Sequence, residues 1–299
     1  MIRITFLGTS FAIPTEKRSH TGILMIYKGE NILIDCGEGT QRQFRKAKLN
    51  PCKVTRILLT HWHGDHVLGL PGLLQTLSLS GYGKTLFIYG PIGTKEFMKN
   101  MMKAFKFQLN FKIEVNELSG KKRFFETDEF YLEYENIIHG VPCNSYSFVK
   151  KGQIRIDKNK LKKLQEVSIE NLKKLKKGKS IVHNGKNISA KNLTFAENDK
   201  KVSFVLDTLV NSKIPKFAEN SDLLVCGATF HSELESEARK KKHLTALQCG
   251  EMAKKSKSKK LILTHISQRY ENNLKRILDD AKKEFKNTSI AEDFESVEV

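Results

Sequence analysis

The fold of this chain is decided by the stretch Ile57-Leu58-Leu59-Thr60-His61-Trp62-His63-Gly64-Asp65-His66. An apolar run typical of a β-strand ends in three histidines and one aspartate within six residues. His61 and His63 are two positions apart, so an extended backbone directs both side chains to the same side. Imidazole nitrogen and carboxylate oxygen are ordinary zinc ligands, and a catalytic zinc site keeps one position for water. The stretch predicts a metal site, because a plain surface loop gives no reason for three histidines beside an aspartate.

Three further apolar runs end in residues of the same types, and these residues are His139, Asp207 and His265. A single histidine after a strand is usually structural. In layered α/β folds, however, functional groups commonly lie at the carboxyl ends of strands and on the loops beyond them. Four strand ends that carry His or Asp therefore predict one metal site, assembled from segments spread over roughly 200 residues of the chain.

Length and composition fit a folded globular protein. The chain has 299 residues, of which 39% are hydrophobic and 28% are charged, which allows one large domain or two small ones. No stretch approaches the roughly 18 apolar residues of a membrane span. The first residues run directly into a strand pattern, so we expect neither a membrane segment nor a signal peptide. Five scattered cysteines without a C-x-x-C pair predict reduced thiols, a cytoplasmic protein and no disulfide-linked partner.

The charge distribution predicts a polyanionic partner. The formal net charge is +19, although a general enrichment in lysine would also raise it. Residues 150–179 hold twelve Lys or Arg against three acidic residues. Leucines at positions 161, 164, 172 and 175 give this segment a thin apolar pattern with helical spacing. We interpret it as a protruding basic arm; the alternative is a solvated surface helix or a disordered insert.

Strands and helices alternate through both halves of the chain, which predicts a layered α/β domain. Lys28-Gly29-Glu30 has the turn chemistry of a hairpin. Thr40 and Gln43 fit a capping box at one helix start, and Thr245 and Gln248 fit another, just after His243.

The histidine motif and its continuation through Gly69-Leu70-Pro71-Gly72 resemble ribonuclease Z, the transfer-RNA 3′ processing endonucleases of the metallo-β-lactamase superfamily. The likeness covers nearly the whole chain. The most specific string is Ile262-Leu263-Thr264-His265-Ile266-Ser267-Gln268-Arg269-Tyr270. Other matching motifs lie at 6–10, 35–41, 89–91, 138–141, 207–208, 228–230 and 243–245.

The resemblance implies an α/β fold, namely the metallo-β-lactamase αββα four-layer sandwich with a protruding basic arm. A single domain, residues 1–299, would be interrupted at 150–195 by a flexible arm that grips the elbow of transfer RNA. The family is usually homodimeric, so we expect a homodimer. The resemblance also implies two Zn²⁺ ions per subunit, although Mn²⁺ or Fe²⁺ also suit such ligands. One ion would be held by His61, His63 and His139, the other by Asp65, His66 and His265, with Asp207 as the bridge.

The activity implied is that of a zinc-dependent endoribonuclease. It would remove the 3′ trailer from precursor tRNA, leaving a 3′-hydroxyl on the tRNA and a 5′-phosphate on the trailer. Asp65 would orient the attacking water and His243 would protonate the leaving oxygen, while Asp35 would support the ligands. The basic residues expected to contact RNA are Lys17, Arg18, Arg269, Lys173, Lys174, Lys176 and Lys177. The alternatives are a phosphodiesterase that acts on small phosphodiesters and a non-catalytic RNA-binding relative.

Three positions depart from the pattern of the family. The stretch 167–177 lacks the Gly-Pro motif that the arm of many bacterial members carries. Leu206 stands where the family usually has glycine before the bridging aspartate. Gly227 stands where the family has the glutamate that orients the histidine matching His243, so His243 needs another partner.

Overall fold

A computed structural model describes residues 1–106, 108–120, 122–164 and 166–299. The strands are β1 (Arg3–Gly8), β2 (Gly22–Tyr27), β3 (Glu30–Ile34), β4 (Arg56–Leu58), β5 (Leu86–Gly90), β6 (Ile113–Glu117), β7 (Arg123–Glu126), β8 (Phe130–Ile137), β9 (Cys143–Lys150), β10 (Ile154–Ile156), β11 (Ile181–His183), β12 (Lys186–Ile188), β13 (Thr194–Ala196), β14 (Lys200–Val205), β15 (Leu223–Gly227), β16 (Leu261–Thr264), β17 (Thr288–Ile290) and β18 (Ser296–Glu298).

The α-helices are α1 (Thr40–Lys46), α2 (Gly64–Val67), α3 (Leu70–Leu79), α4 (Thr94–Ala104), α5 (Lys158–Leu161), α6 (Ile169–Lys176), α7 (Ala190–Leu193), α8 (Lys213–Phe217), α9 (Glu235–Lys241), α10 (Ala246–Lys255) and α11 (Leu274–Lys282). Short 3₁₀ helices occur at Pro51–Lys53, Ser232–Leu234 and Gln268–Tyr270. Among the described residues, no helix combines the length and the apolar character that crossing a lipid bilayer requires.

Two seven-stranded sheets form the centre of the fold. The first has the order β18-β1-β2-β3-β4-β5-β6, and the second has the order β17-β16-β15-β14-β9-β8-β7. Strands β3 to β6 pair in parallel, and so do strands β14 to β17. The carboxyl ends of parallel neighbours meet at one edge of their sheet, and this is the edge that carries the functional loops in open α/β sheets.

Helices cover the outer face of each sheet. Apolar residues of α1, α3 and α4 pack with the first sheet, and those of α8, α10 and α11 pack with the second. The inner faces meet where the rings of Tyr27 and Phe148 lie 5.3 Å apart and where Tyr146 Oη donates to the Leu59 carbonyl at 2.6 Å. The predicted αββα four-layer sandwich is confirmed. Its strands are mostly buried on both faces, as layered sheets require.

The chain divides into two compact units. The first comprises Met1–Phe125, Leu132–Phe148 and Lys201–Val299 and contains the sandwich. The second, here called the arm unit, comprises Glu126–Tyr131 and Val149–Lys200. It contains two small antiparallel strand pairs, β10 with β13 and β11 with β12.

The lysine-rich segment of the arm unit folds around a small apolar core of its own. Its buried members are Leu175, Ile181, Ala190 and Leu193, and Leu161 and Leu164 pack against them. Helix α6 ends at Lys176, and Gly178, two residues beyond, has a φ of 71°. The amides of Gly178 and Lys179 donate to the carbonyls of Leu175 and Lys174, both at 2.9 Å. This pair of bonds is a Schellman motif, so a glycine cap ends the helix in a stretch that has no Gly-Pro motif.

The two predicted capping boxes differ in outcome. At α10 the box is confirmed, since Thr245 Oγ1 accepts from the Gln248 amide and the Gln248 side chain accepts from the Thr245 amide. At α1 the prediction is wrong. The helix begins after Gly39, whose φ is 77°, and the Thr40 hydroxyl donates backward to the Gly37 carbonyl. Because Thr40 is already the first helical residue, its side chain does not cap the helix.

Candidate metal centre

Four strands present the predicted ligands at their carboxyl ends. His61 and His63 follow β4, His139 follows β8, Asp207 follows β14 and His265 follows β16. Ligand-type atoms here and at neighbouring residues form three overlapping groups, each within 4.8 Å, and the third group joins His243 to Asp207 and His265. The structure thus brings together all seven side chains predicted as ligands, which we call the metal cluster: His61, His63, Asp65, His66, His139, Asp207 and His265.

The first part of the metal cluster consists of three histidines and Asp207. His61 Nε2 lies 3.0 Å from His63 Nδ1, which lies 3.2 Å from His139 Nε2. Asp207 Oδ2 lies 3.7 Å from His61 Nε2 and 3.9 Å from His139 Nε2. Three nitrogens and one oxygen therefore converge on one point.

The second part consists of Asp65, His66 and His265. The Nε2 atoms of His66 and His265 are 3.1 Å apart. Asp65 Oδ2 lies 3.4 Å from the first of these nitrogens and 3.3 Å from the second. Asp207 also reaches this group, since its Oδ2 lies 3.4 Å from His66 Nε2 and its Oδ1 lies 2.9 Å from His265 Nδ1. Asp207 is the residue that the two parts share.

These residues fit divalent cations by their geometry as well as by their chemistry. Four ligands at about 2.0–2.1 Å from a tetrahedral zinc ion are about 3.3 Å from one another, close to the 3.0–3.2 Å between the imidazole nitrogens. The buried Asp207 Oδ1 has no well-formed hydrogen bond among the described residues, although His265 Nδ1 lies 2.9 Å away. A buried carboxylate oxygen without a donor is costly unless a cation compensates it.

Asp35 supports the metal cluster through hydrogen bonds to Thr60 and His66. It is fully buried and follows β3. Its Oδ1 accepts from the Thr60 amide at 2.7 Å, and its Oδ2 accepts from the Thr60 hydroxyl and from His66 Nδ1, each at 2.7 Å. The Thr60 hydroxyl also lies 3.0 Å from His61 Nδ1. Hydrogen bonds of this kind fix the ring orientation of ligating histidines and leave the opposite nitrogen free for a metal.

His139 is oriented from a different part of the chain. Its Nδ1 donates to the backbone carbonyl of Lys242 at 3.0 Å, and Lys242 Nζ in turn donates to the His139 carbonyl at 3.2 Å. With Nδ1 occupied, the His139 Nε2 atom carries the lone pair that faces His63. Two hydrogen bonds therefore connect Lys242, the residue before His243, to His139 of the metal cluster.

Charges within the metal cluster shift the pKa of its members in opposite directions. Burial lowers the pKa of His61, and the neighbouring His66 adds to the effect. Burial opposes protonation of His66 as well, but the Asp35 and Asp207 carboxylates outweigh it and raise the pKa of His66. Burial would raise the pKa of Asp65, yet hydrogen bonds from His265 and His66 hold it well below the usual range. The Asp65 side chain is therefore ionised at neutral pH.

His243 lies beside the metal cluster, and its partners replace the glutamate that the resemblance had led us to expect. The His243 Nδ1 atom is 3.3 Å from Thr229 Oγ1 and 3.7 Å from Asp207 Oδ2. Thr229 Oγ1 is also 3.2 Å from His265 Nδ1. A side chain at Gly227 would place its Cβ 2.6 Å from the Leu206 carbonyl oxygen, so this backbone has no room for glutamate there.

Two supporting residues escaped the sequence analysis, namely Thr60 and Thr229. Each lies two residues beyond the same kind of strand end as the ligands, after β4 and β15 respectively. The position just beyond a strand end was the sequence signal that could have identified these two threonines. A threonine is not a typical metal ligand, and its hydroxyl contacts depend on neighbouring strands whose register the sequence does not give.

The basic residues expected at the cleft have different surroundings. Arg18 is only 5% exposed, and its Nη1 donates to Thr9 Oγ1 at 2.7 Å and to the Ala291 carbonyl at 2.8 Å. This is a correction, because a buried guanidinium that is bonded within the fold has a structural role and does not face phosphate. Lys17 is exposed. Arg269 is exposed, lies over the Phe230 ring at 5.1 Å and pairs with Glu237 at 3.4 Å.

Comparisons with known proteins identify the family of the chain. The family model described as Anti-Pycsar protein Apyc1 matches residues 2–184. Ribonuclease Z of Nanoarchaeum equitans is 37% identical over 295 residues, which cover 99% of this chain and 92% of the relative. Ribonuclease Z of Methanothermobacter thermautotrophicus is 37% identical over 300 residues, which cover 100% of this chain and 97% of the relative.

Among solved structures, the short form of human tRNase Z superposes with a TM-score of 0.72 and 26% identity. The superposition covers 99% of this chain and 98% of the human chain. Because residues 2–184 match its family model, the chain belongs to the Apyc1 family. Because it is 37% identical to relatives that it matches along nearly their full length, the whole chain also belongs to the ribonuclease Z family of the metallo-β-lactamase fold.

Proposed function

We propose that the chain is a metal-dependent endoribonuclease that removes the 3′ trailer from precursor tRNA. It leaves a 3′-hydroxyl on the tRNA and a 5′-phosphate on the trailer. The observation that carries this proposal is the convergence of the metal cluster, whose seven members come from segments far apart in the chain. Relatives named Ribonuclease Z along the full length support the substrate, and the net charge of +19 suits RNA.

The residues fit two ions per subunit, and we propose zinc, with Mn²⁺ or Fe²⁺ as alternatives. His61, His63 and His139 would hold one ion, Asp65, His66 and His265 the other, and Asp207 would bridge them. Two bound ions would polarise the scissile phosphate and acidify a water molecule. Nitrogen and carboxylate ligands without cysteine are compatible with all three metals.

Asp65 would serve as the base. Its carboxylate is ionised at neutral pH because His265 and His66 stabilise the charged form, and it is part of the metal cluster. In the cleavage step, the Asp65 carboxylate accepts the proton of the attacking water as the new bond from oxygen to phosphorus forms. The bond from phosphorus to the 3′ oxygen breaks, and its electron pair stays on that oxygen.

His243 would donate the proton that the departing 3′ oxygen needs. Burial lowers the pKa of His243 to about 4, so the free protein holds a neutral imidazole at pH 7. An approaching phosphate favours the charged imidazolium and raises this pKa. His243 would therefore acquire its proton as the substrate binds. The ring is held for this step by Thr229 Oγ1 at 3.3 Å.

We further propose one metallo-β-lactamase domain, 1–299, interrupted by an RNA-binding exosite at 150–195 within the arm unit. Lys173, Lys174, Lys176 and Lys177 are all exposed and would contact phosphates of the tRNA elbow, while Lys17 and Arg269 would contact phosphates near the cleft. A homodimer in the cytoplasm is part of the same proposal. It rests on the resemblance to the family alone.

A precursor tRNA labelled at its 5′ end tests the proposal. The purified, metal-loaded protein should release a tRNA with a free 3′-hydroxyl and a trailer with a 5′-phosphate, and excess chelator should stop the reaction. Intact precursor after prolonged incubation with metal would refute the endonuclease and leave the non-catalytic RNA-binding alternative. Fragments with a 2′,3′-cyclic phosphate would refute attack by water.

Excising the arm tests the rival activity on small phosphodiesters. Ile154 and Ala196 are directly paired across β10 and β13, so a two-residue Asn-Gly turn can replace 155–195 without moving the ends. We expect the shortened protein to lose tRNA processing and to keep hydrolysis of bis(p-nitrophenyl) phosphate. If both activities survive unchanged, the arm has no role in substrate binding and the exosite proposal fails.

A further inference from the structure

A cavity beside His243 has no role in the mechanism above. Its volume is about 330 Å³, which is at the small end of ligand pockets and fits a single nucleoside. Its lining includes Leu209 and Val210 after β14, and Leu247 and Gln248 on α10. His243 lines the cavity and also lies 3.7 Å from Asp207 in the metal cluster. The cavity therefore adjoins the site of proton donation.

We propose that this cavity binds the base of the last nucleotide that the tRNA retains, the nucleotide whose 3′ oxygen departs. The inference rests on the proposed function, because it takes His243 as the donor to that oxygen. The ribose that carries the oxygen must lie next to His243, and its base then has the adjoining cavity available.

The apolar wall is preformed and open. Val210 is 41% exposed, yet its loop is held in place. The Leu209 amide donates to the Ile138 carbonyl at 2.7 Å, and its carbonyl accepts from the Asn211 side chain at 2.9 Å. An exposed aliphatic side chain on a fixed loop offers a surface against which the face of an unstacked base can be buried. Sequence-specific RNA recognition commonly targets unstacked bases.

The polar rim favours a base over a phosphate. Glu251 and Glu235 both line the cavity, and carboxylates repel a phosphate but accept hydrogen bonds from amino and ring N–H groups of bases. Both are already engaged, Glu251 with Lys255 Nζ at 3.2 Å and Glu235 with Gln248 Nε2 at 3.1 Å. Their geometry is therefore set before RNA binds.

Arg239 is the group on the rim that is available to read the base edge. It lies in the last turn of α9 and is exposed. Within the part of the chain that the structure describes, its guanidinium has no hydrogen bond or ion pair, whereas Gln248 uses both ends of its amide. A guanidinium presents several donors in a fixed plane and suits carbonyl and ring-nitrogen acceptors of a base.

The test uses five precursor tRNAs that differ only in the last retained nucleotide, four with the natural bases and one abasic. With the metal-loaded wild-type protein we expect the abasic substrate to lower kcat/KM roughly tenfold, which corresponds to about 1.4 kcal/mol. Val210→Trp fills the cavity and should impose a similar loss on the natural substrates. In this variant, the abasic substrate and the natural substrates should have similar kcat/KM values.

A second variant tests which group reads the base. Arg239→Gln should change the ranking of the four bases by kcat/KM, and Lys240→Gln, the matched exposed cation next to it, should leave the ranking unchanged.

Equal rates for all five substrates would overturn the inference and leave the proposed function standing. An abasic penalty that Val210→Trp retains in full would also overturn it, because the base would then bind elsewhere. Failure of the wild-type protein to cut any of the five would refute the proposed function, and with it this inference.

Discussion

The metal cluster and the arm unit hold their polar residues in opposite ways. His61, His66 and His265 are completely buried, and each has partners that fix its ring. The lysines of α6 are exposed, and Lys174 pairs with its neighbour Glu170 on the surface. Buried polar groups must be compensated, whereas exposed ion pairs contribute little to stability. The comparison teaches that the fold fixes the geometry of the cluster's histidines, whereas it leaves the α6 lysines exposed.

The largest effect should follow from removing the residue shared by both parts of the cluster. Asp207→Asn keeps the shape but loses the charge that compensates the cations. We expect cleavage of precursor tRNA to fall at least about 10³-fold, roughly 4 kcal/mol of barrier, with a matching loss of bound metal. Single-turnover rates and metal analysis of the purified variant measure both. Asp128→Asn, an exposed carboxylate in the arm unit, is the control, and a variant at Asp207 with near-normal rates would contradict the ligand assignment.

The arm should respond to charge in a graded way. Changing Lys173, Lys174, Lys176 and Lys177 to alanine should raise KM for precursor tRNA roughly tenfold to a hundredfold while kcat is retained. Each lost phosphate contact should also flatten the dependence of log KM on log salt by about 0.7–0.9. The control removes four exposed lysines of the sandwich, namely Lys84 before β5 and Lys95, Lys99 and Lys103 on α4. Equal effects of the two quartets would mean that only net charge matters.

A smaller effect is expected from the hydroxyl that holds two histidines. Thr229→Val keeps the shape of the side chain and removes the contacts to His243 and His265. We expect kcat to fall about tenfold with KM little changed, and the pH profile of kcat to move because His243 loses a partner that orients it. Thr229→Ser should restore the rate and the profile. If Ser and Val behave alike, the hydroxyl does not position His243.

The smallest effect concerns the thiols. Four of the five free cysteines are buried, and only Cys52 is partly exposed. Burial raises the pKa of the Cys36 thiol to about 12, so it carries almost no thiolate at pH 8. Under native conditions iodoacetamide should label Cys52 alone, without loss of activity, and all five after unfolding, as peptide mass spectrometry would reveal. Rapid native labelling of Cys36 would contradict the packing beside Asp35.

The sequence predicted the cluster well because its ligands are strongly typed and stand at strand ends. His139, Asp207 and His265 each follow an apolar run, and such runs are difficult to place anywhere but in a buried sheet. The expectation that Arg18 contacts RNA was wrong because its sequence context carries no such signal. A cation near a predicted cleft has no local pattern that distinguishes an exposed phosphate contact from a buried donor to Ala291.

The arm and the supporting hydroxyls were harder to predict. Leu161, Leu164 and Leu175 looked too sparse for a core, yet they share one with residues as distant as Leu193. The partners of His243 depend on how closely Leu206 and Gly227 approach across two strands. Distances of this kind are set by register and backbone packing, which a single sequence does not encode locally.

The most direct test of the account is a metal titration of the chelator-stripped protein, followed by elemental analysis and cleavage of precursor tRNA in the same samples. We expect two divalent ions per subunit, bound with the simultaneous appearance of a tRNA ending in a 3′-hydroxyl. Cleavage by the stripped protein, or a fully stripped protein that binds no divalent ion, would contradict the claim that the buried histidines and aspartates form the catalytic centre.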